Sequence, residues 1–145
     1  MQNYLDLLKS KKYHLLLIVG PTGSGKSKYI HNYSDESGIP VLDFDKILGK
    51  KLPVGKDDSY VIDFIKDFLK SYTQEQILLD KKQILYQANS DIDLLTFLKA
   101  ISINKIVIAT FNGYTKDGKL IHLDNKQEID NEYELDDSYL YIEFK

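Results

Sequence analysis

Gly20-Pro21-Thr22-Gly23-Ser24-Gly25-Lys26-Ser27 is the stretch that decides how this chain folds. Gly20, Gly25, Lys26 and Ser27 stand in the spacing Gly-x-x-x-x-Gly-Lys-Ser,. Immediately before it, His14-Leu15-Leu16-Leu17-Ile18-Val19 is an apolar run of the kind a strand buried on both faces requires,. Immediately after it, Ser27 to Tyr33 can open a helix. A glycine-rich loop between a strand end and a helix start has a definite chemical capacity. Glycines permit backbone conformations that are costly for other residues. Successive N–H groups can then face one concavity and cradle a phosphate. The helix N-terminus adds a partial positive charge, worth up to about 1 kcal/mol at an exposed site. Lys26 can reach the β- and γ-phosphates as a point charge, and the Ser27 hydroxyl can ligate Mg²⁺,.

This is the P-loop, or Walker A, pattern. It assigns Gly20, Pro21, Thr22, Gly23, Ser24, Gly25, Lys26, Ser27 and Lys28 to nucleotide binding, with ATP and Mg²⁺ as the expected ligands and Lys26 also in a catalytic role,. The pattern needs a carboxylate that holds Mg²⁺ through water, at the end of a hydrophobic strand. Asp80, after Ile77-Leu78-Leu79, fits. Many ATPases place a glutamate directly after that aspartate to polarise the attacking water. Here Lys81, Lys82 and Gln83 follow. The general base is missing from its usual place, which points to slow hydrolysis, an unusual base or pure nucleotide sensing.

Composition narrows the function further. The chain has 145 residues, enough for one domain with a core,. Net charge is -3, which speaks against direct binding to nucleic acid,. With no cysteine there is neither a disulfide framework nor a thiolate metal site, as expected of a cytoplasmic protein,. Lys9, Lys11 and Lys12 precede the apolar run as in a signal peptide, but the run is too short and leads directly into the loop,. No stretch approaches transmembrane length,. All 19 basic residues are lysine. Arginine is the usual bidentate phosphate clamp, so this chain supplies no arginine finger to itself or to another copy.

Read outward from the loop, strands and helices alternate. A short amphipathic helix at 2–10 precedes a strand at 14–19 and a helix to about Tyr33, followed by a loop at Asp35-Glu36-Ser37-Gly38. Pro40-Val41-Leu42-Asp43 is a second strand, and 46–58 reads as irregular. Val61, Phe64, Ile65, Phe68, Leu69 and Tyr72 recur at helical spacing, with Asp57, Asp58 or Ser59 as cap,. A third strand spans 77–80, and a helix starting near Ser90 or Asp91 carries Ile92, Leu95 and Leu98. A fourth strand spans 105–110, and Lys116-Asp117-Gly118-Lys119 signals a hairpin between 113–115 and 120–123,. Residues 124–138 read as an acidic, weakly ordered surface, and 139–144 as a last strand. The expected fold is α/β: one P-loop NTPase domain over 1–145, with a mostly parallel sheet flanked by helices and a C-terminal β-hairpin and strand,.

Three further features carry alternatives. In additional-strand P-loop proteins the fourth strand lies between the other two motif strands, and a polar residue at its tip orients the attacking water. Thr110 or Asn112 can do this, with Asn112 the candidate catalytic residue, although a turn before Gly113 explains the segment equally well. Asp43 and Asp45 form an Asp-x-Asp pair of the kind seen in small-molecule kinases that resemble shikimate kinase, yet those kinases clamp phosphate with arginines that are absent here. His14, His31 and His122 show no metal-ligand spacing and receive no role.

Beyond the loop, the chain resembles the BrxF family of small P-loop proteins from the BREX phage-defence system. The resemblance rests on length and on the apolar strand running into Gly20–Ser27. It also rests on Ile77-Leu78-Leu79-Asp80 with Gln83-Ile84-Leu85-Tyr86, and on Ser102-Ile103-Asn104-Lys105 through Ala109-Thr110-Phe111-Asn112-Gly113 leading to a β-rich tail. It implies a small ATP-binding subunit of a bacterial anti-phage assembly, with other defence proteins as partners. Further copies of the chain are the other candidate partner, and no membrane is expected. The readings are therefore an ATP-binding protein with slow or partner-stimulated ATPase activity, a small-molecule kinase using Asp43 and Asp45, and a non-hydrolysing nucleotide-dependent adaptor.

Overall fold

The computed structural model describes residues 1–49, 58–86 and 91–145. The apolar run before the loop becomes β1 (Leu15–Gly20), buried at every residue. It is flanked in parallel by β4 (Ile106–Lys116) on one side and β7 (Leu140–Glu143) on the other. β3 (Gln76–Lys81) pairs in parallel with β4, and β2 (Val41–Asp43) with β3. The resulting order is β2–β3–β4–β1–β7.

Successive side chains of these strands point to opposite faces, and both faces are covered. Leu15, Leu17, Val19, Ile77, Leu79, Val107 and Phe111 join one cluster with Phe44 and Leu48 of α3 (Phe44–Gly49). Val61 and Ile65 of α4 (Asp58–Lys70) and Leu95 and Leu98 of α5 (Leu94–Ile101) complete it. Leu16, Ile18, Leu78 and Ile108 form a second cluster with Leu8 of α1 (Gln2–Leu8) and Ile30 of α2 (Lys26–Ser37). The fold is α/β, a mostly parallel sheet with helices on both faces. Among the described residues, no helix is long and apolar enough to cross a membrane.

Several elements differ from the sequence reading. The helix after the loop runs to Ser37, so the expected loop shrinks to Gly38. Nothing between Asp35 and Ser37 breaks a helix; Gly38, left-handed with its N–H bonded to Ser34 O, ends it,. Residues 44–49 are helical rather than irregular, because the Asp43 carboxylate accepts the Lys46 N–H at 2.9 Å and caps α3,. The rest of that segment, including Asp57, lies outside the described residues, as does Ser90. α5 begins later than expected, capped by Asp93, whose carboxylate accepts the Thr96 N–H at 3.1 Å.

The largest difference lies at the C-terminal end of β4. There is no turn at Asn112-Gly113; the strand continues to Lys116 and changes partner. Its second half pairs antiparallel with β5 (Lys119–Leu123) through the expected hairpin, whose Asp117 and Gly118 have φ of 54° and 76°. β5 in turn pairs with β6 (Ile129–Glu134), inside the segment expected to be weakly ordered. Asp124 builds the turn between them by accepting the N–H groups of Lys126 and Glu128 at 2.8 and 3.0 Å. β6 is almost wholly exposed and rich in acids, so backbone pairing rather than burial holds it, and composition could not reveal it,.

Candidate functional site

The C-terminal ends of β1, β3 and β4 converge on one cavity of about 320 Å³. In α/β sheets this edge is where ligands bind. It is lined by Thr22, Gly23, Lys26 and Ser27 from the loop and the start of α2, by Asp80, Lys82 and Tyr86 from the end of β3 and the turn after it, by Thr110 and Asn112 of β4, and by His122 and Gln127.

The loop has the geometry its sequence requires. Gly23 and Gly25 have φ of 84° and 101°, a region that L side chains rarely adopt,. Gly25 caps α2 without any side-chain cap bond. Among the described residues, the N–H groups of Lys26, Ser27 and Lys28 donate to no protein atom,. Three unpaired donors at a helix start fit an anionic ligand. Lys26 Nζ folds back to Pro21 O at 2.9 Å. Burial lowers its pKa below the ordinary 10.5, Asp80 opposes that shift, and Lys81 adds to it. The loop is braced from behind: Phe144 donates its N–H to Val19 O at 2.7 Å, and its ring meets Tyr29 edge-on at 5.4 Å.

Asp80 organises the end of β3. Its Oδ1 accepts from Ser27 Oγ at 3.1 Å and from Thr110 Oγ1 at 2.9 Å, and Oδ2 lies 3.4 Å from His31 Nε2. Burial alone would push the carboxyl up. The hydrogen bonds from Thr110 and Ser27, with the charges of Lys82 and Lys81, overcome this and hold it below its ordinary 3.8,. The structure thus joins Ser27 and Asp80, the two residues expected at a Mg²⁺. No group of three or more His, Asp or Glu side chains gathers at one point among the described residues. A cation between Ser27 and Asp80 would therefore complete its shell from phosphate oxygens and water, which suits Mg²⁺.

Asn112 lies beside the loop, because the parallel register sets it opposite Gly20. Its Oδ1 accepts from Thr22 Oγ1 at 3.4 Å, and its Nδ2 donates to Leu123 O and Asp124 O at 3.2 and 3.3 Å. The carboxamide therefore ties the loop to the β5–β6 turn. Asp43 and Asp45 do not line the cavity. Asp43 caps α3, and Asp45 accepts the Ile84 N–H at 2.7 Å, which anchors the 3₁₀ turn at Gln83–Leu85.

Two residues stand out that the sequence reading did not assign. Lys82 is only 5% exposed. Its ammonium donates to Asp80 O at 3.0 Å and Thr110 Oγ1 at 3.2 Å. In an extended segment it shares a face with Asp80, two residues earlier, and that spacing was the available signal. His122 is 1% exposed, with Nδ1 2.9 Å from Asp130 Oδ2. A histidine inside Lys119-Leu120-Ile121-His122-Leu123 must find a partner when buried, but its partner lies on a strand that composition concealed,.

Burial lowers the Lys82 pKa to about 8, against the attraction of Asp80 and Asp45. Between that value and the ordinary 10.5 the unfolded chain keeps a proton that the folded chain has lost, so stability rises with pH across this window,. Below it the full burial cost, roughly 3 kcal/mol, weighs on the fold. The stability of Lys82→Met relative to wild type should therefore fall between pH 7 and pH 10, as the wild type sheds the burial cost of the charged lysine,. Urea unfolding midpoints at both pH values check this; a constant difference would refute it.

Compared with protein-family models, curated proteins and solved structures, the chain has no match.

Proposed function

We propose that the chain binds ATP with Mg²⁺ between the Gly20–Ser27 loop and Asp80, and hydrolyses it slowly or under stimulation by a partner. The observation that carries this reading is the Ser27–Asp80 hydrogen bond at 3.1 Å, which links the loop to the end of β3 beside unpaired helix N–H donors. Such a pair is poised to open around a cation that a triphosphate brings with it. The order β3–β4–β1 supports a P-loop NTPase fold of the additional-strand type. Membership of a BREX-type defence assembly is a proposal that rests on the resemblance to BrxF alone. The kinase reading draws no support from Asp43 and Asp45, whose carboxylates hold a helix cap and a turn.

Calorimetric titration of the purified chain with Mg·ATP tests the proposal. Lys26→Ala should weaken binding about 10- to 100-fold, the worth of a charge-assisted hydrogen bond to phosphate. Failure of the wild-type chain to bind ATP or GTP would overturn it. Transfer of labelled phosphate to a small acceptor, in place of release to water, would revive the kinase reading.

A further inference from the structure

We propose that His122, oriented by Asp130, accepts the proton of the water that attacks the γ-phosphate. This rests on the nucleotide-binding reading above and supplies the base that is missing after Asp80.

The first observation is placement. His122 lines the same cavity as Lys26, Ser27 and Asp80. A triphosphate seated on the loop would extend into this cavity, which the His122 ring shares. The second observation is tautomer. A carboxylate only accepts, so the 2.9 Å contact from His122 Nδ1 to Asp130 Oδ2 puts the ring hydrogen on Nδ1 and leaves the lone pair on Nε2,. Among the described residues Nε2 has no hydrogen-bond partner. Buried polar atoms are usually hydrogen-bonded, so this nitrogen calls for an explanation. The third observation is rigidity. The ring meets Tyr86 at 4.6 Å and Phe111 at 4.9 Å, both edge-on, so its orientation is fixed from two sides. Asp130 is itself exposed on β6 and contributes nothing to the core; His122 is the partner of its carboxylate.

The step balances without another reagent. The water oxygen forms a bond to the γ-phosphorus, and the bond from that phosphorus to the β,γ-bridging oxygen breaks. The electron pair of the broken bond leaves on ADP. One water proton moves to Nε2, Asp130 stabilises the imidazolium, and the proton then passes to solvent.

The charged groups around the ring come from every element packed against it. Burial lowers the His122 pKa below the ordinary 6.5; Asp130 on β6 and Asp124 in the turn oppose this, and Lys82 after β3 reinforces it. Tyr86 stays neutral, its pKa pushed up to about 12 by burial and by the acids nearby. The ring is therefore neutral, and able to act as a base, at pH 7.

The test is phosphate release from Mg·ATP by the full chain between pH 5 and 9, with ATP binding measured alongside. His122→Asn should lose about 100-fold or more in turnover, while binding ATP within about twofold of wild type. The wild-type profile should fall on an acid limb below pH 6.5, and His122→Asn should lack it. Asp130→Asn, at an exposed position that leaves the core intact, should slow turnover and move the limb to lower pH. Wild-type turnover in His122→Asn, an unmoved limb in Asp130→Asn, or ATP binding by the wild type without hydrolysis would each overturn the proposal. If His122→Asn does not fold, the Asp130→Asn profile decides. Absence of ATP binding by the wild type would instead sink the nucleotide reading itself.

Discussion

Asp80→Ala is expected to lower the unfolding free energy at pH 7 by about 3 kcal/mol, with most of that loss recovered when Lys82→Met is added. Lys82 is a buried cation, and Asp80 supplies the largest attraction that keeps it charged, ahead of Asp45. Removing one member of a buried pair strands the other, which typically costs about 3–5 kcal/mol. The lower figure applies here because the Lys82 ammonium bonds the Asp80 carbonyl and the Thr110 hydroxyl rather than the carboxylate itself. The sign with pH is also set. The Asp80 carboxyl titrates below its ordinary 3.8 in the fold, so its stabilisation is present above that value and is lost on acidification,. Urea denaturation of the wild type, both single variants and the double variant closes a double-mutant cycle. Strict additivity would show that Asp80 and Lys82 are not coupled.

Gly113→Ala is the second large effect. A Cβ at Gly113 would sit 1.9 Å from Ile121 O, 3.0 Å from Ile121 C and 3.3 Å from the His122 Cα. All three are backbone atoms of the paired strand β5, so no side chain can swing aside. Overpacking usually costs about 1–3 kcal/mol. A contact this short against a hydrogen-bonded backbone belongs at or above the top of that range, and it is relieved only by parting the hairpin. Gly38→Ala is the contrast: φ is 76° but nothing lies within 4 Å, so the cost should be about 1 kcal/mol,. The check is chemical denaturation with hydrogen exchange. Gly113→Ala should lose amide protection in β5 and β6 while β1 keeps its own. Equal stability of the two alanine variants would contradict the argument.

The parts of the fold written in apolar patterning were legible. Leu15 to Val19 could only be a buried central strand, and Ile77-Leu78-Leu79 before Asp80 specified a second strand ending in an acid. The glycine-rich spacing likewise singled out Lys26 and Ser27 as candidates, and the structure brings Ser27 to Asp80 across 53 residues of sequence. What stayed hidden was held by polar or backbone bonds. α3 depends on the Asp43 cap, α5 on Asp93, and β6 on ladder bonds to β5. Asp43 drew attention as half of an acidic pair, yet its neighbour Lys46 shows it to be a helix cap. Lys82 and His122 were hidden for a related reason. A buried polar group is defined by its partners: Thr110, which bonds Lys82, is 28 residues away, and Asp130, only eight residues from His122, sits on a strand that composition concealed.

β4 is one uninterrupted strand shared by two ladders, parallel to β1 over Val107–Asn112 and antiparallel to β5 from Gly113 onward. Thr110, which bonds Asp80, and Gly113, which pairs with His122, are therefore three residues apart on a single strand. Among the described residues β4 has no break between these two points, so their spacing is set by the strand. A ligand entering the cleft meets this edge already in position, and the freedom it removes there is that of long side chains such as Lys26 and Lys81,. Selectivity along such an edge works as with a gauge of set length, by size and charge, more than by closure around what has entered.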